Sequence, residues 1–366
     1  MKKQLVLFLL AIVALNCREK EAPMKTYNLF VGTYTDGESK GIYRFTFNSN
    51  SGELEQKTLA AVLPNPSFLT ISNDKSNLYA VQETADFDSL GGGITAFRLK
   101  EGLLELQNSM GTGGAHPCHV TLSGDGQLAV SNYTGGNLSI FELEDNGALK
   151  QNPQLIDHKV LDTAKAAHVH KAHFSKDGLF ASDLGLDALK RYNKQDGNWK
   201  PAHQSSLDLP GGAGPRHFVF DTTGNYLYII NELNSSISLF KRDDEGSFNN
   251  MQTESTLAAA YEGQNACADI HLSADGKFLY GSNRGENTIV IFEVDSKTGK
   301  LSLVGRESVQ GNWPRNFTID PSGNFLLVAN QRSNNIAVFQ RNIEQGTLAY
   351  RNEVSIPAPV CLEFLE

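Results

Sequence analysis

Histidines, arginines and two glutamates recur at matching places along this 366-residue chain, and together they suggest one kind of chemistry. His116, His119, His168, His170, Arg216, His217 and Arg315 stand where apolar strands begin. Glu83, Asn132, Asp183, Glu232 and Arg284 stand where others end. Histidine is the side chain best suited to exchange a proton near neutral pH. A carboxylate can orient it or act as the base itself. Arginine stays charged, so it can clamp a carboxylate or phosphate, or steady an oxyanion. The set suits an anionic substrate undergoing proton transfer or hydrolysis. There is no nucleophile elbow, and GGGI from Gly91 and GGAG from Gly211 open no helix, so both are read as connectors rather than phosphate loops.

Positioning such residues requires a fold that gathers distant segments, and an internal repeat supplies it. Six segments follow one grammar, from Phe68, His119, Lys171, His217, Asp269 and Asn316: an apolar strand, a tight turn and a second apolar strand ending in a polar residue. A third strand follows, closing on Phe97, Phe141, Tyr192, Phe240, Phe292 and Phe339. The turn glycines Gly126, Gly178, Gly224, Gly276 and Gly323 are 52, 46, 52 and 47 residues apart. Short runs bounded by Asp-Gly, Ser-Gly or Thr-Gly are hairpins. A second turn, at Gly147, Gly246, Gly299 and Gly346, leads to a fourth, outer strand.

Four strands at this period make a propeller blade. The last blade comes from both ends: PVCLEFLE from Pro359 fills a first-strand slot, while segments from Asn28, Gly41 and Leu54 supply the other three. The fold class expected is all-β, a seven-bladed β-propeller of four-stranded antiparallel blades. Its ring closes where the C-terminal strand joins the N-terminal ones, which also removes exposed edges.

In a propeller the approach to each first strand and the end of each second strand share one face near the central channel. The recurring asparagine at second-strand ends has a structural role available, bonding backbone at a turn. Glu83, Asp183, Glu232 and Arg284 break that pattern and are the more informative residues. The prolines before the first strands are strand-approach devices.

At these residues the chain resembles the seven-bladed propeller lactonases, the family of bacterial 6-phosphogluconolactonase and fungal carboxy-cis,cis-muconate cyclase. The likeness runs from LFVGTYT at Leu29 through NPSFL at Asn65, HPCHV at His116, DLGLD at Asp183, GPRH at Gly214, NEL at Asn231 and SNRG at Ser282 to PAPV at Pro357. The resemblance implies an active site of His168, Arg216, Glu232 and Arg284, with His170 the neighbouring choice for the histidine. His116, His119, His217, Arg315, Glu83, Asn132 and Asp183 would surround the substrate. The implied reaction is metal-independent hydrolysis of a sugar-type lactone, aldono- or phosphogluconolactone-like, without a cofactor. His168 or Glu232 would be the base, and the arginines would bind the acidic group. Two departures stand out: the Gly178–Asp183 segment is about two residues short of the family pattern, and Cys118 replaces a common histidine.

Three other readings remain open from the residues alone. A metal-dependent gluconolactonase-type propeller could draw oxygen ligands from Glu83, Asn132, Asn231 and Asp183. A muconate-cyclase-like activity would run ring closure, and a noncatalytic ligand-binding propeller would use the same pocket without chemistry.

The N-terminus reads separately. Lys2 and Lys3 precede an apolar run from Leu5 to Leu15 that is too short to span a bilayer, so residues 1–17 are expected to be a signal peptide, followed by a linker over 18–26 and the propeller over 27–366. Cys17 sits where a lipoprotein signal would be acylated, although Asn16 is not the usual small residue before it. The expectation is an exported protein, periplasmic or held at the bacterial envelope, whose membrane attachment would run solely through a lipid on Cys17. A net charge of -9 without a basic stretch argues against nucleic acid, leaving a small-molecule lactone as the partner. Cys118, Cys267 and Cys361 show neither a CxxC pair nor metal spacing and are expected as buried thiols. Phosphogluconolactone is cytosolic, so export favours an unphosphorylated aldonolactone or a uronic-type lactone.

Overall fold

The computed structural model describes residues 25–365; the expected signal segment and Cys17 lie outside them. Among the described residues, 28 strands form seven four-stranded antiparallel sheets, and there is no helix. The blades begin at Pro359 (blade 1, shared between the chain ends), Leu69, Pro117, Val169, Pro215, Ala266 and Pro314 (blade 7). The ring closes as expected: Pro359–Leu365 pairs antiparallel with Thr26–Thr33, setting Leu29 opposite Phe364 and Val31 opposite Leu362.

Local chemistry explains the repeat. In most first hairpins a short polar residue captures the amide restarting the chain: Ser123 Oγ accepts from Gln127 N, Asp221 Oδ1 from Tyr226 N, and Asp320 Oδ1 from Phe325 N, at 2.7–2.8 Å. The turn glycines take φ of +71° to +118°, a region costly to side chains bearing a Cβ. Apolar strands then pack blade on blade. Between blades 4 and 5, Phe180, Phe218 and Phe248 are buried, and Phe180 meets Phe248 edge-on at 5.6 Å. Each such side chain contributes about 1.5–3 kcal/mol by leaving water.

One irregularity matters for function. The first strands of blades 3, 4, 5 and 7 shift register just after their first residue, as at Pro117/His119, Val169/Lys171, Pro215/His217 and Pro314/Asn316. A bulge of this kind turns two successive side chains toward the same side. The pairs so aimed at the axis are Cys118–His119, His170–Lys171, Arg216–His217 and Arg315–Asn316. The proline opening three of these strands has no N–H to leave unpaired there.

Candidate active site

Register alignment of the blades sorts the channel residues into tiers. The position that approaches or opens each first strand forms the rim: Asn65, His116, His168, Gly214, Ala266, Trp313 and Ala358. The position at or just past the end of each second strand joins them: Tyr34, Glu83, Tyr133, Leu184, Glu232, Arg284 and Gln331. The upper bulge position lines the channel with Ser67, Cys118, His170, Arg216, Ala268, Arg315 and Val360. Beneath it lie Phe68, His119, Lys171, His217, Asp269, Asn316 and Cys361.

The charged centre is a carboxylate shared by two guanidinium groups. Glu232 Oε2 lies 3.0 Å from Arg216 Nε and 2.7 Å from Arg284 Nη2. The Arg216 contact is an ion pair without hydrogen-bond alignment, since its Nε has no hydrogen-bond partner. The arginines are also tied to backbone: Arg216 Nη1 donates to Ala268 O at 2.6 Å, and Arg284 Nε and Nη2 donate to Ala266 O and Cys267 O at 3.1 and 3.0 Å. Both arginine side chains are almost fully buried, whereas Glu232 is 18 % exposed at the mouth. Burial, with Arg284 and Arg315 close by, pulls Arg216 down to about 10, so it remains a cation at neutral pH.

A second, looser pair adjoins the first. Arg315 Nη2 is 3.8 Å from Glu83 Oε2, which accepts a hydrogen bond from Tyr34 OH at 2.8 Å. The Arg315 guanidinium also lies over the Tyr34 ring at 5.2 Å, and that of Arg284 over the Trp313 ring at 5.4 Å. Three arginines against two glutamates leave one unit of positive charge in the pocket.

His168 stands at the rim with its ring stacked on Tyr133, centroids 4.5 Å apart and planes 16° from parallel. Its Nδ1 lies 3.1 Å from Tyr133 O. A carbonyl can only accept, so Nδ1 carries the proton and Nε2 presents a lone pair. The Tyr133 hydroxyl is raised by burial and by the charge of Glu232. His170, one tier lower, lies within field range of all three arginines and is held well below its ordinary value by burial and by Arg216.

The channel does not run through. The ring of Phe68, from the approach to blade 2, lies 4.2 Å from His119 of blade 3 and 6.0 Å from His217 of blade 5, so it crosses the axis and floors the pocket. His217 Nδ1 donates to Asp269 Oδ1 at 2.7 Å, and burial together with Arg216 lowers His217 to about 3. Burial also holds His119 low. Beside the Phe68 ring the floor therefore carries two neutral imidazoles, His119 and His217, which suit hydroxyl groups.

Of the residues expected from sequence, His168, His170, Arg216, Glu232, Arg284, Arg315 and Glu83 come together at this mouth. His119 and His217 form the floor. His116 is on the same rim, partly exposed, with Nδ1 2.9 Å from Thr134 Oγ1. Asn132 and Asp183 do not join them. Both occupy the last position of a second strand, one residue short of the Glu232 slot, so they turn into their blades and are fully buried. Asn132 Nδ2 donates to Thr112 O, Asn137 Oδ1 and Ser139 Oγ. The recurring asparagines are structural in the same way, as Asn231 shows by bonding Ser236 and Ser238.

The oxygen set Glu83, Asn132, Asn231 and Asp183 is therefore not assembled into a cation site. Among the described residues, no group of three His, Cys, Asp or Glu side chains is placed to hold a metal. Cys118, Cys267 and Cys361 are free and buried. Sequence reasoning missed Tyr34, Tyr133, Trp313 and Asp269; the first two share the Glu232 slot, and that alignment would have revealed them.

Comparisons with known proteins agree with this architecture. Residues 28–364 match the profile of the family described as "Lactonase, 7-bladed beta-propeller". A 6-phosphogluconolactonase of Formosa agariphila is 39% identical over 335 residues, covering 87% of this chain and 94% of that one. A protein of the same name from Bacillus subtilis is 34% identical, covering 93% and 99%. The solved structure of the periplasmic gluconolactonase of Pseudomonas aeruginosa superposes with a TM-score of 0.87 at 33% identity, over 93% of this chain and 99% of that one.

Proposed function

Because the chain belongs to the seven-bladed β-propeller lactonases, a family of lactone hydrolases, we propose that it opens an unphosphorylated sugar-type lactone at the Arg216–Glu232–Arg284 cluster. The observation that carries this reading is the Glu232 carboxylate locking two buried guanidinium groups, with His168 on the same rim anchored through Nδ1 to Tyr133 O so that Nε2 is free to act as acceptor. The lactone carbonyl oxygen faces Arg216 and Arg284, whose fixed N–H groups need no rearrangement as negative charge develops on it. His168 Nε2 takes a proton from water as the water oxygen bonds to the carbonyl carbon. Collapse of the tetrahedral species breaks the ring C–O bond, and the imidazolium returns the proton to the departing alkoxide. The product is a hydroxy acid, which ionises to its carboxylate and one released proton. Glu232 keeps the two arginines aligned throughout.

The substrate class follows from charge and from the floor. One surplus positive charge matches a monoanionic product, while a phosphate dianion would exceed it. The neutral His170 and His217 suit the hydroxyls of an aldonolactone. Acid release on a panel of lactones tests the reading. Glucono-1,5-lactone is expected to be hydrolysed with higher kcat/KM than its 6-phosphate, and a chelator is expected to leave the rate unchanged. Acid release from no lactone would favour a noncatalytic propeller; preference for the phosphate ester would overturn the substrate assignment.

Export belongs to the same proposal. The strand Thr26–Thr33 ends at the mouth beside Tyr34 and so begins at the opposite face, and a lipid on Cys17 would hold the protein at the envelope. Mass spectrometry of the mature N-terminus is expected to show a diacylglyceryl-modified Cys17; an unmodified terminus would remove the anchor.

A further inference from the structure

The residue that faces into the blade at the end of each second strand is asparagine in blades 3, 5, 6 and 7 but Asp183 in blade 4. Blades 1 and 2 carry Thr33 and Gln82 there, so Asp183 is the one carboxylate at this position, and it sits beneath His168. Asp183 Oδ1 accepts from the amides of His168, Gly185 and Leu186 at 2.8, 3.1 and 3.0 Å. Its Oδ2 lies 2.8 Å from His158 Nδ1, and His158 Nε2 lies 2.8 Å from Tyr192 OH. A carboxylate accepts, so His158 donates from Nδ1 and accepts a hydrogen bond from the Tyr192 hydroxyl at Nε2. The side chains of His158 and Asp183 are fully buried, and no substrate reaches them.

His168 is held differently from most of its counterparts in other blades. Asn65, His116, Gly214, Trp313 and Ala358 all adopt φ between +40° and +69° at this rim position, whereas His168 and Ala266 do not. Its amide is fixed by Asp183, its carbonyl accepts from Leu184 N at 2.9 Å, and its ring is fixed by Tyr133. Gly185 completes the seat. A Cβ there would stand 1.7 Å from Ala166 O and 3.1 Å from His168 Cδ2, so only glycine lets the loop close against the imidazole.

We propose that Tyr192–His158–Asp183 is a buried positioning relay that sets the backbone of His168 and thereby aims its Nε2 at the attacking water. This rests on the reading of His168 as the proton acceptor. The relay touches neither substrate nor reacting atoms. Its effect on rate passes entirely through His168, because misplacing a reacting group by a fraction of an ångström costs far more in turnover than in binding.

A double-mutant cycle in kcat and KM separates this from a structural role. His158→Phe is expected to lower kcat by about tenfold and to leave KM within about twofold. In the His168→Ala background the same substitution is expected to change kcat no further, since no imidazole remains to be aimed. An equal loss in both backgrounds, or no loss in either, would overturn the relay. His168→Ala with near-normal kcat would instead overturn the catalytic reading on which it rests. Should His158→Phe not yield folded protein, Tyr192→Phe serves in the same cycle, with an expected loss of about threefold confined to the His168 background.

Discussion

Glu232→Gln is expected to lower kcat/KM by about 10²–10³-fold while the ring stays folded, the range seen when one preorganised charge-stabilising contact is lost. The substitution keeps size and shape but removes the charge that Arg216 and Arg284 share through Oε2. An amide offers one acceptor oxygen, and its NH₂ group must face either a guanidinium or the substrate. Arg216 already lies low because of burial and the nearby Arg284 and Arg315, so losing its nearest carboxylate strains a cation that cannot leave the pocket. Breaking a buried pair costs about 3–5 kcal/mol, and the water access of Glu232 places this case at the lower end. Steady-state kinetics and a melting curve together give the answer. Glu83→Gln is the contrast: its 3.8 Å pair with Arg315 is loose, so about tenfold is the most it should cost. Glu232→Gln retaining kcat/KM within about threefold of wild type, well short of the loss expected here, would end the mechanism. His168→Ala is expected to lose about 10²–10⁴ in kcat, the contribution of a positioned general base.

The ring was legible because its cause is local. Hairpin turns, apolar strands and the complementary deficit at the two chain ends all follow from short-range pattern, and the pairing of Pro359–Leu365 with Thr26–Thr33 met that expectation. The arginines and Glu232 were legible because a charge recurring beside a channel has no packing use. Asp183 was misplaced by a matter of one residue. In a strand, neighbouring side chains point to opposite faces, so treating the last residue of the strand and the next as one position merges an inward slot with an outward one. Asp183 and Glu232 look equivalent in the sequence, yet one turns into its blade and the other into the pocket. His158 lay beyond sequence reasoning for a different reason. It occupies an irregular connection after Gln154–Asp157, outside the repeat, and reaches Asp183 by a contact 25 residues away. The closed floor also depended on something without a sequence period: the bulge that aims two adjacent residues inward, and the way the Phe68 ring crosses to His217.

That floor, with His170 in the tier above it, predicts how stability responds to acid. His119, His170 and His217 are all lowered, with burial the first cause in each and Lys171 or Arg216 next, and His217 reaches about 3. In the unfolded chain each imidazole would titrate near its ordinary value of about 6.5. Between these values the unfolded state binds protons that the folded state refuses, so stability rises with pH through this window and is fully present above it. Each imidazole contributes a slope of about 1.4 kcal/mol per pH unit while the difference persists. Asp269, held low by His271 and His217 against the opposing effect of burial, works over another range: its contribution is lost only as pH falls below about 4. Thermal unfolding from pH 7 to 4.5 is therefore expected to show a steadily falling midpoint before the carboxylates titrate. His217→Asn retains a donor for Asp269 and has no titration of its own, so it should reduce that slope by roughly one imidazole's share. A midpoint that stays flat from pH 7 to 4.5 would mean that the floor accepts protons, and with them a charged pocket base unsuited to binding hydroxyls.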